Sequence, residues 1–226
     1  MKTRFLKNIV TLLIFSCTIT ISYSQEGKSQ DFWSKARLNV GITLGNYSFD
    51  SDTQNFDIKY DYSIGFLIGL DYEIYTINDE LSIKTGFALS NHNSSIDQPN
   101  LGLKIDYSTY WIGTHAQVNY KIIPHKLSAS LGVFADYGIT GTQQYEGRDK
   151  IDVFTGKGEN DAPFNSFNFG IISEVSYLMS WTDFADDIYI SYRLGLANLE
   201  GADSDTQTLK TGMILLGFRA NLDNLF

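Results

Sequence analysis

From Tyr62 to Ile74 the chain alternates between two kinds of residue. Tyr62, Ile64, Phe66, Ile68, Leu70, Tyr72 and Ile74 share one parity, and Ser63, Gly65, Leu67, Gly69, Asp71 and Glu73 the other. In a β-strand these parities are opposite faces, so one face is wholly apolar or aromatic and the other mostly small or charged. Two tyrosines bracket the apolar run ten residues apart, as Tyr110 and Tyr120, and Phe167 and Tyr177, do elsewhere. Ten residues of tilted strand cover an apolar band of ~25 Å, and aromatic girdles mark the edges of such a band in a membrane barrel. A water-soluble sheet has no reason to repeat aromatic caps at that interval. A soluble barrel would also put its apolar face inside, whereas the crowded interior here suits the small and charged parity.

The rest of the chain agrees with a barrel. Lys2, Arg4 and Lys7 precede an apolar run from Ile9 to Ile21 and the small residues Ser22 and Ser24, which reads as an export signal cut after about Ser24. Residues 25–35 would follow as a periplasmic linker and residues 36–226 as the barrel, in the outer membrane of a Gram-negative cell. Past the signal no run of ~18 apolar residues occurs, so a helical span is excluded. The single cysteine, Cys17, lies within the signal, which removes disulfides, thiol catalysis and cysteine metal sites from the mature chain. Losing the three signal cations takes the formal charge from −9 to −12, which argues against a nucleic-acid partner. With 14 Tyr, 15 Phe and 19 Gly against 3 Pro, the composition suits girdles, a tight interior and uninterrupted ladders.

Eight segments carry the period-two pattern, near 36–49, 62–75, 80–91, 103–122, 126–141, 165–178, 186–197 and 209–222. The fold expected is all-β: an eight-stranded antiparallel up-and-down transmembrane β-barrel. Connections after the second, fourth and sixth strands are short and the others longer, matching periplasmic turns and external loops. The longest, from Thr142 to Phe164, is expected to be external and mobile. Setting Tyr75 opposite Glu80 pairs Ile68 with Phe87 and Asp71 with Lys84, lipid-facing with lipid-facing and carboxylate with cation. In the fourth strand Leu103, Ile105 and Tyr107 are odd while Tyr110, Ile112, Ala116 and Val118 are even, so a bulge near Ser108 is expected.

The signal, the eight strands, the Tyr- and Gly-rich composition and the terminal Phe226 together resemble the PorT-like outer-membrane β-barrel family over residues 36–226. Tyr110-Trp111-Ile112-Gly113 stands where many members carry a Pro-containing segment. Some relatives are linked to protein secretion across the outer membrane and most have no assigned activity, so the resemblance implies a place more than a role.

The inward parity assembles a candidate lumen charge network: Asp71, Glu73, Asp136 and Glu174 against Lys84, Lys121, Arg193 and Arg219. Equal numbers of each sign favour a salt-bridged plug over a charged pore, because an eight-stranded barrel is just wide enough for its side chains to fill. The girdle residues are Tyr62, Tyr72, Tyr110, Tyr120, Phe167 and Tyr177. Ser90 with His92 is the best candidate for acyl chemistry at the membrane edge, but a polar rim histidine explains it as well; His115 faces inward and His125 sits in a turn beside Pro124. Asp50-Ser51-Asp52 and Asp203-Ser204-Asp205 could hold divalent cations but lack EF-hand spacing, and Gly156-Lys157-Gly158 lacks the rest of a phosphate-binding fingerprint. The reading is a monomeric, non-catalytic barrel without cofactor or bound metal. Its partners would be outer-membrane lipids and a protein or surface ligand met by its loops. A narrow diffusion channel and a lipid-modifying enzyme are the alternatives.

Overall fold

The computed structural model describes residues 35–51, 61–98, 103–154, 164–179, 185–200 and 207–224. The expected signal peptide, the linker up to Ser34, Asp52, Asp203-Ser204-Asp205, Gly156-Lys157-Gly158 and Phe226 lie outside the described residues. Eight long strands form the wall: β1 (Ala36–Ser51), β2 (Asp61–Thr76), β3 (Leu81–Gln98), β4 (Leu103–Ile123), β5 (Leu127–Tyr145), β7 (Phe167–Leu178), β8 (Asp187–Gly195) and β9 (Gln207–Asn221). A two-residue strand, β6 (Ile151–Asp152), pairs with the end of β5. Each long strand runs antiparallel to its neighbours, and β9 pairs with β1 from Arg37–Asn221 to Ser51–Gln207, closing a ring of eight.

The closure has a definite stagger. Paired residues lead from Ala36 through Tyr72, Thr85, Ala116, Val133, Ile171, Leu194 and Gly212 back to Asn46, ten residues further along β1. With a rise of ~3.3 Å and a strand spacing of ~4.8 Å, that shear tilts the strands by roughly 40°. Ten residues then climb ~25 Å along the barrel axis. On this geometry Tyr72, Tyr120 and Tyr177 fall at one level near the end where β1 begins and β9 finishes, and Tyr62, Tyr110 and Phe167 fall at a second level ~25 Å above. Between the levels the outer wall is apolar: Val40, Ile42, Leu44, Ile64, Phe66, Ile68 and Leu70 are exposed on β1 and β2 alone, and the belt continues round the ring through Val133, Ile171, Ile190 and Leu216.

Above the second level the pattern inverts. On β4 the outward residues change from Ile112, Ala116 and Val118 to Lys104, Asp106 and Ser108, while the buried inward ones change from His115 and Gln117 to Ile105 and Tyr107. The parity itself never changes along β4, and its ladder with β3 runs unbroken from Leu81–Tyr120 to Gln98–Leu103. No bulge therefore interrupts β4 near Ser108; the irregularity lies on the facing strand, where the register with β5 shifts between Tyr110–Thr140 and Trp111–Gly138. The mixed parity in the sequence records a change of surroundings along a straight strand.

Two further expectations are corrected. The β2–β3 hairpin has Asp71 opposite Gly86 and Glu73 opposite Lys84, with Leu70 facing Phe87 and Ile68 facing Leu89. The strands run on to Thr76–Ser82, beyond a one-residue shift between Glu73 and Tyr75. The turn closes through Asn78, whose side-chain oxygen accepts hydrogen bonds from the amides of Glu80 and Leu81 at 2.9 and 2.8 Å. From Leu67 to Glu73 the displacement is two residues, so those side chains keep their faces. The segment from Thr142 to Phe164 is also not a featureless loop in its described parts. Residues to Tyr145 extend β5, β6 pairs with Thr142 and Gln143, and Phe164 donates its amide to Val153 at 2.9 Å. Val153 and Phe164 are buried in a cluster with Tyr47, Ile96, Ile105, Tyr107, Trp111, Leu199 and Leu209 that fills the ring above the belt.

Candidate functional site

The inward side chains below that cluster are arranged around Arg219. It projects from β9 with its guanidinium over the ring of Tyr189, 4.0 Å from the centroid. Its Nε lies 2.5 Å from Asp71 Oδ2 on β2, Nη2 lies 2.5 Å from Glu174 Oε2 on β7, and Nη1 lies 3.1 Å from Asp187 Oδ1 on β8. Lys84 Nζ reaches the other oxygen of Glu174 at 2.5 Å, and Arg37 Nη1 the other oxygen of Asp187 at 3.2 Å. Asn39 donates to Asp71 Oδ2 at 3.1 Å and itself accepts a hydrogen bond from the Tyr189 hydroxyl. Three cations thus meet three carboxylates, and the fan of guanidinium donors is used on all sides. Charges as buried as Arg219 and Asp71, at 3% and 4% exposure, are tolerable only in such an arrangement.

Bare backbone makes room for these side chains. A methyl on Gly86 would stand 2.3 Å from His115 Cε1 and 2.5 Å from Asp71 Oδ1, and one on Gly113 would stand 1.7 Å from Asp136 Oδ1. These glycines are the recesses in the wall against which the Asp71, His115 and Asp136 side chains lie. A second ion pair, Arg193 with Asp136 at 3.8 Å, sits higher in the lumen, with Arg193 5.6 Å from the Phe134 ring centroid. Leu67, Ala88, Ile172 and Leu215 are buried between the two charged layers. The lumen is therefore crossed in turn by the Arg219 cluster, an apolar layer, the Arg193–Asp136 pair and the aromatic cluster.

Of the sequence-predicted network, Asp71, Lys84, Glu174 and Arg219 come together, and Arg193 with Asp136 forms a separate pair. Glu73 stays outside, accepting a hydrogen bond from Thr76 at 2.8 Å. With Lys35, Lys121 and Lys126 it lines an open recess of about 230 Å³ below Arg219, at the end where the chain enters and leaves the ring. Asp71 meets Arg219 rather than Lys84, as the two-residue displacement of the hairpin requires. Sequence reasoning missed Arg37, Asn39, Asp187 and Tyr189. Each has the inward parity of its strand, so the signal that found Arg193 could have found them.

The histidines are placed differently from one another. Ser90 and His92 are both buried and face inward, with the His92 ring centroid 6.3 Å from that of Trp111, and they share no hydrogen bond. They are thus not at the lipid-facing edge where acyl chemistry would need them. His115 Nε2 lies 3.5 Å from Asp71 Oδ1, and His125 occupies the turn after β4 with φ of 59°. Among the described residues no three His, Cys, Asp or Glu side chains converge as metal ligands.

No protein-family model matches the chain, and no curated protein does. Solved structures with a similar course include Neisserial surface protein A, at 16% identity and a TM-score of 0.46 over 82% of this chain and 96% of that one. Ail, the attachment invasion locus protein of Yersinia pestis, aligns at 15% identity and a TM-score of 0.41, covering 83% of this chain and 99% of that one. The translocator domain of the autotransporter NalP from Neisseria meningitidis aligns at 8% identity and a TM-score of 0.33, covering 95% of this chain and 97% of that one. At these values they transfer no ligand, partner or activity to this chain.

Proposed function

We propose that the chain is an integral outer-membrane β-barrel with a filled lumen, whose role is non-catalytic: it presents the part of the barrel above its apolar belt, and the connections there, to a partner or surface ligand. The observation that carries this reading is the belt itself. Exposed apolar side chains encircle the ring for ~25 Å between two aromatic levels, far more than a soluble protein leaves open to water. The hydropathy pattern reverses where the belt ends, which is what a strand does when it passes from lipid into water.

The end carrying the first and last strands and the short turns would face the periplasm, and the long connections the exterior. A diffusion channel is disfavoured by the four layers stacked across the lumen, and surface acyl chemistry by the inward placement of Ser90 and His92. The PorT-like resemblance, and with it a link to secretion, rests on the sequence pattern alone.

Topology is tested by single cysteines, since the mature chain is expected to have none. Lys150→Cys should react with a membrane-impermeant maleimide on intact cells, and Asn78→Cys only after permeabilisation. The opposite pattern would reverse the orientation, and absence from the membrane fraction would end the reading.

A further inference from the structure

Just above the second aromatic level the outer wall carries a polar groove of about 290 Å³ that nothing described so far employs. Strand register builds it. Asn93 on β3 is opposite Ser108 on β4, Ser108 is opposite Thr142 on β5, and Asp106 is opposite Gln144. Directly opposed residues stand ~5 Å apart, so these amides, hydroxyls and the carboxylate form a compact outward-facing patch; Ser63, within the interrupted part of the β2–β3 ladder, and Lys150 also line the groove. Two register shifts flank it, one in the β2–β3 seam between Tyr62 and Leu67 and one in the β4–β5 seam beside Tyr110. Bulges at a rim re-aim side chains and recur beside binding sites.

The fold consumes the patch only in part: Ser108 accepts a hydrogen bond from Asn91, and Gln144 donates to the carbonyl of Arg148, both at 3.4 Å. Among the described residues the side chains of Ser63, Asp106, Thr142 and Lys150 make no hydrogen bond or ion pair. Asn93 spends its amide nitrogen on the carbonyl of Ile64 at 2.7 Å, in the interrupted part of the β2–β3 ladder, while its buried side-chain oxygen has no partner. A cluster of hydroxyl, amide and carboxylate groups with one lysine beside it has the chemistry that recognises sugar hydroxyls, with a cation for an accompanying phosphate.

Its height decides which sugar. The groove begins at the level of Tyr62 and Tyr110 and rises above it, where lipid chains give way to headgroups. From these observations, and resting on the outer-membrane reading above, we infer that the groove binds the sugar headgroup of a glycolipid in the outer leaflet. The acyl chains would lie against the apolar belt below, so that one molecule is held by both surfaces.

The test uses the full mature chain in phosphatidylcholine nanodiscs with and without lipopolysaccharide. Glycolipid retained per barrel is read by native mass spectrometry, and insertion is scored separately by protease protection. The triple variant Asp106→Ala, Thr142→Val, Lys150→Ala alters only outward side chains and should weaken retention about tenfold or more. Ser48→Ala with Lys210→Ala, a paired outward position on the far wall, should leave it unchanged. Equal retention by the wild type and the triple variant would overturn the inference. So would a delipidated oligosaccharide binding as tightly as the membrane-borne glycolipid, which would make a soluble glycan the occupant. Failure to insert in either nanodisc would instead overturn the membrane reading on which this one rests.

Discussion

Replacing Arg219 with methionine puts the filled-lumen reading under its most direct strain. The side chain contacts three buried carboxylates, but these do not suffer equally. Glu174 retains Lys84 at 2.5 Å and Asp187 retains Arg37 at 3.2 Å, whereas Asp71 is left with the Asn39 amide and the imidazole of His115. Removing one partner of a buried pair costs ~3–5 kcal/mol because the remaining charge is uncompensated, and here the uncompensated charge is Asp71. Asp71→Asn in the same background removes that charge. The double variant should therefore lose less than the sum of the single changes, by about 1.5–3 kcal/mol, the worth of hydrogen bonds to charged groups. The cycle pairing Asp71→Asn with Lys84→Gln makes the contrast, since Lys84 contacts Glu174 and makes no hydrogen bond with Asp71. Its coupling should be smaller than that of the Arg219 cycle. The assay is reversible urea unfolding from phospholipid vesicles, with native migration on unheated gels confirming that each variant inserts. Additivity of Arg219→Met and Asp71→Asn within about 0.5 kcal/mol would show that water already screens the pair, and the plug argument would fail.

Other expectations follow from the same geometry. Ile68→Arg, at the middle of the belt, should lower folding stability in a bilayer by ~2–4 kcal/mol while Ile68→Val stays near wild type; equal tolerance of both would refute the outward assignment. Gly113→Ala should cost ~1–3 kcal/mol through overpacking against Asp136, and an unchanged urea midpoint would mean that this carboxylate does not lie in the recess. Phe164→Ala should cost ~3–5 kcal/mol by opening a cavity in the aromatic cluster, yet planar-bilayer recordings should stay silent because the Arg219 cluster still crosses the lumen. Steady single-channel current through the wild type would favour a diffusion channel.

Along each uninterrupted stretch of strand the sequence determined which way the side chains point, and the register shifts in β2 and β5 lay beyond it. Period two is a property of a single strand, set by local backbone geometry, so the outward Ile68 and inward Asp71, Glu174 and Arg219 were legible without knowing what lay beside them. The number of strands followed from the same pattern, and so did the spacing of Tyr62 from Tyr72. Which side chains would meet was not legible, because register is a relation between strands and parity leaves it open by steps of two. The β2–β3 hairpin shows the limit: a two-residue displacement from Leu67 to Glu73 kept the faces and still gave Asp71 a different partner. Ring closure decided the rest. Its ten-residue stagger brings β2, β7, β8 and β9 to one centre, so that Arg219 meets Asp71 148 positions away in the chain. The mixed parity of β4 likewise became intelligible only when the aromatic levels on neighbouring strands were aligned, since the boundary between two solvents is a plane through the whole barrel and no single strand can mark it alone.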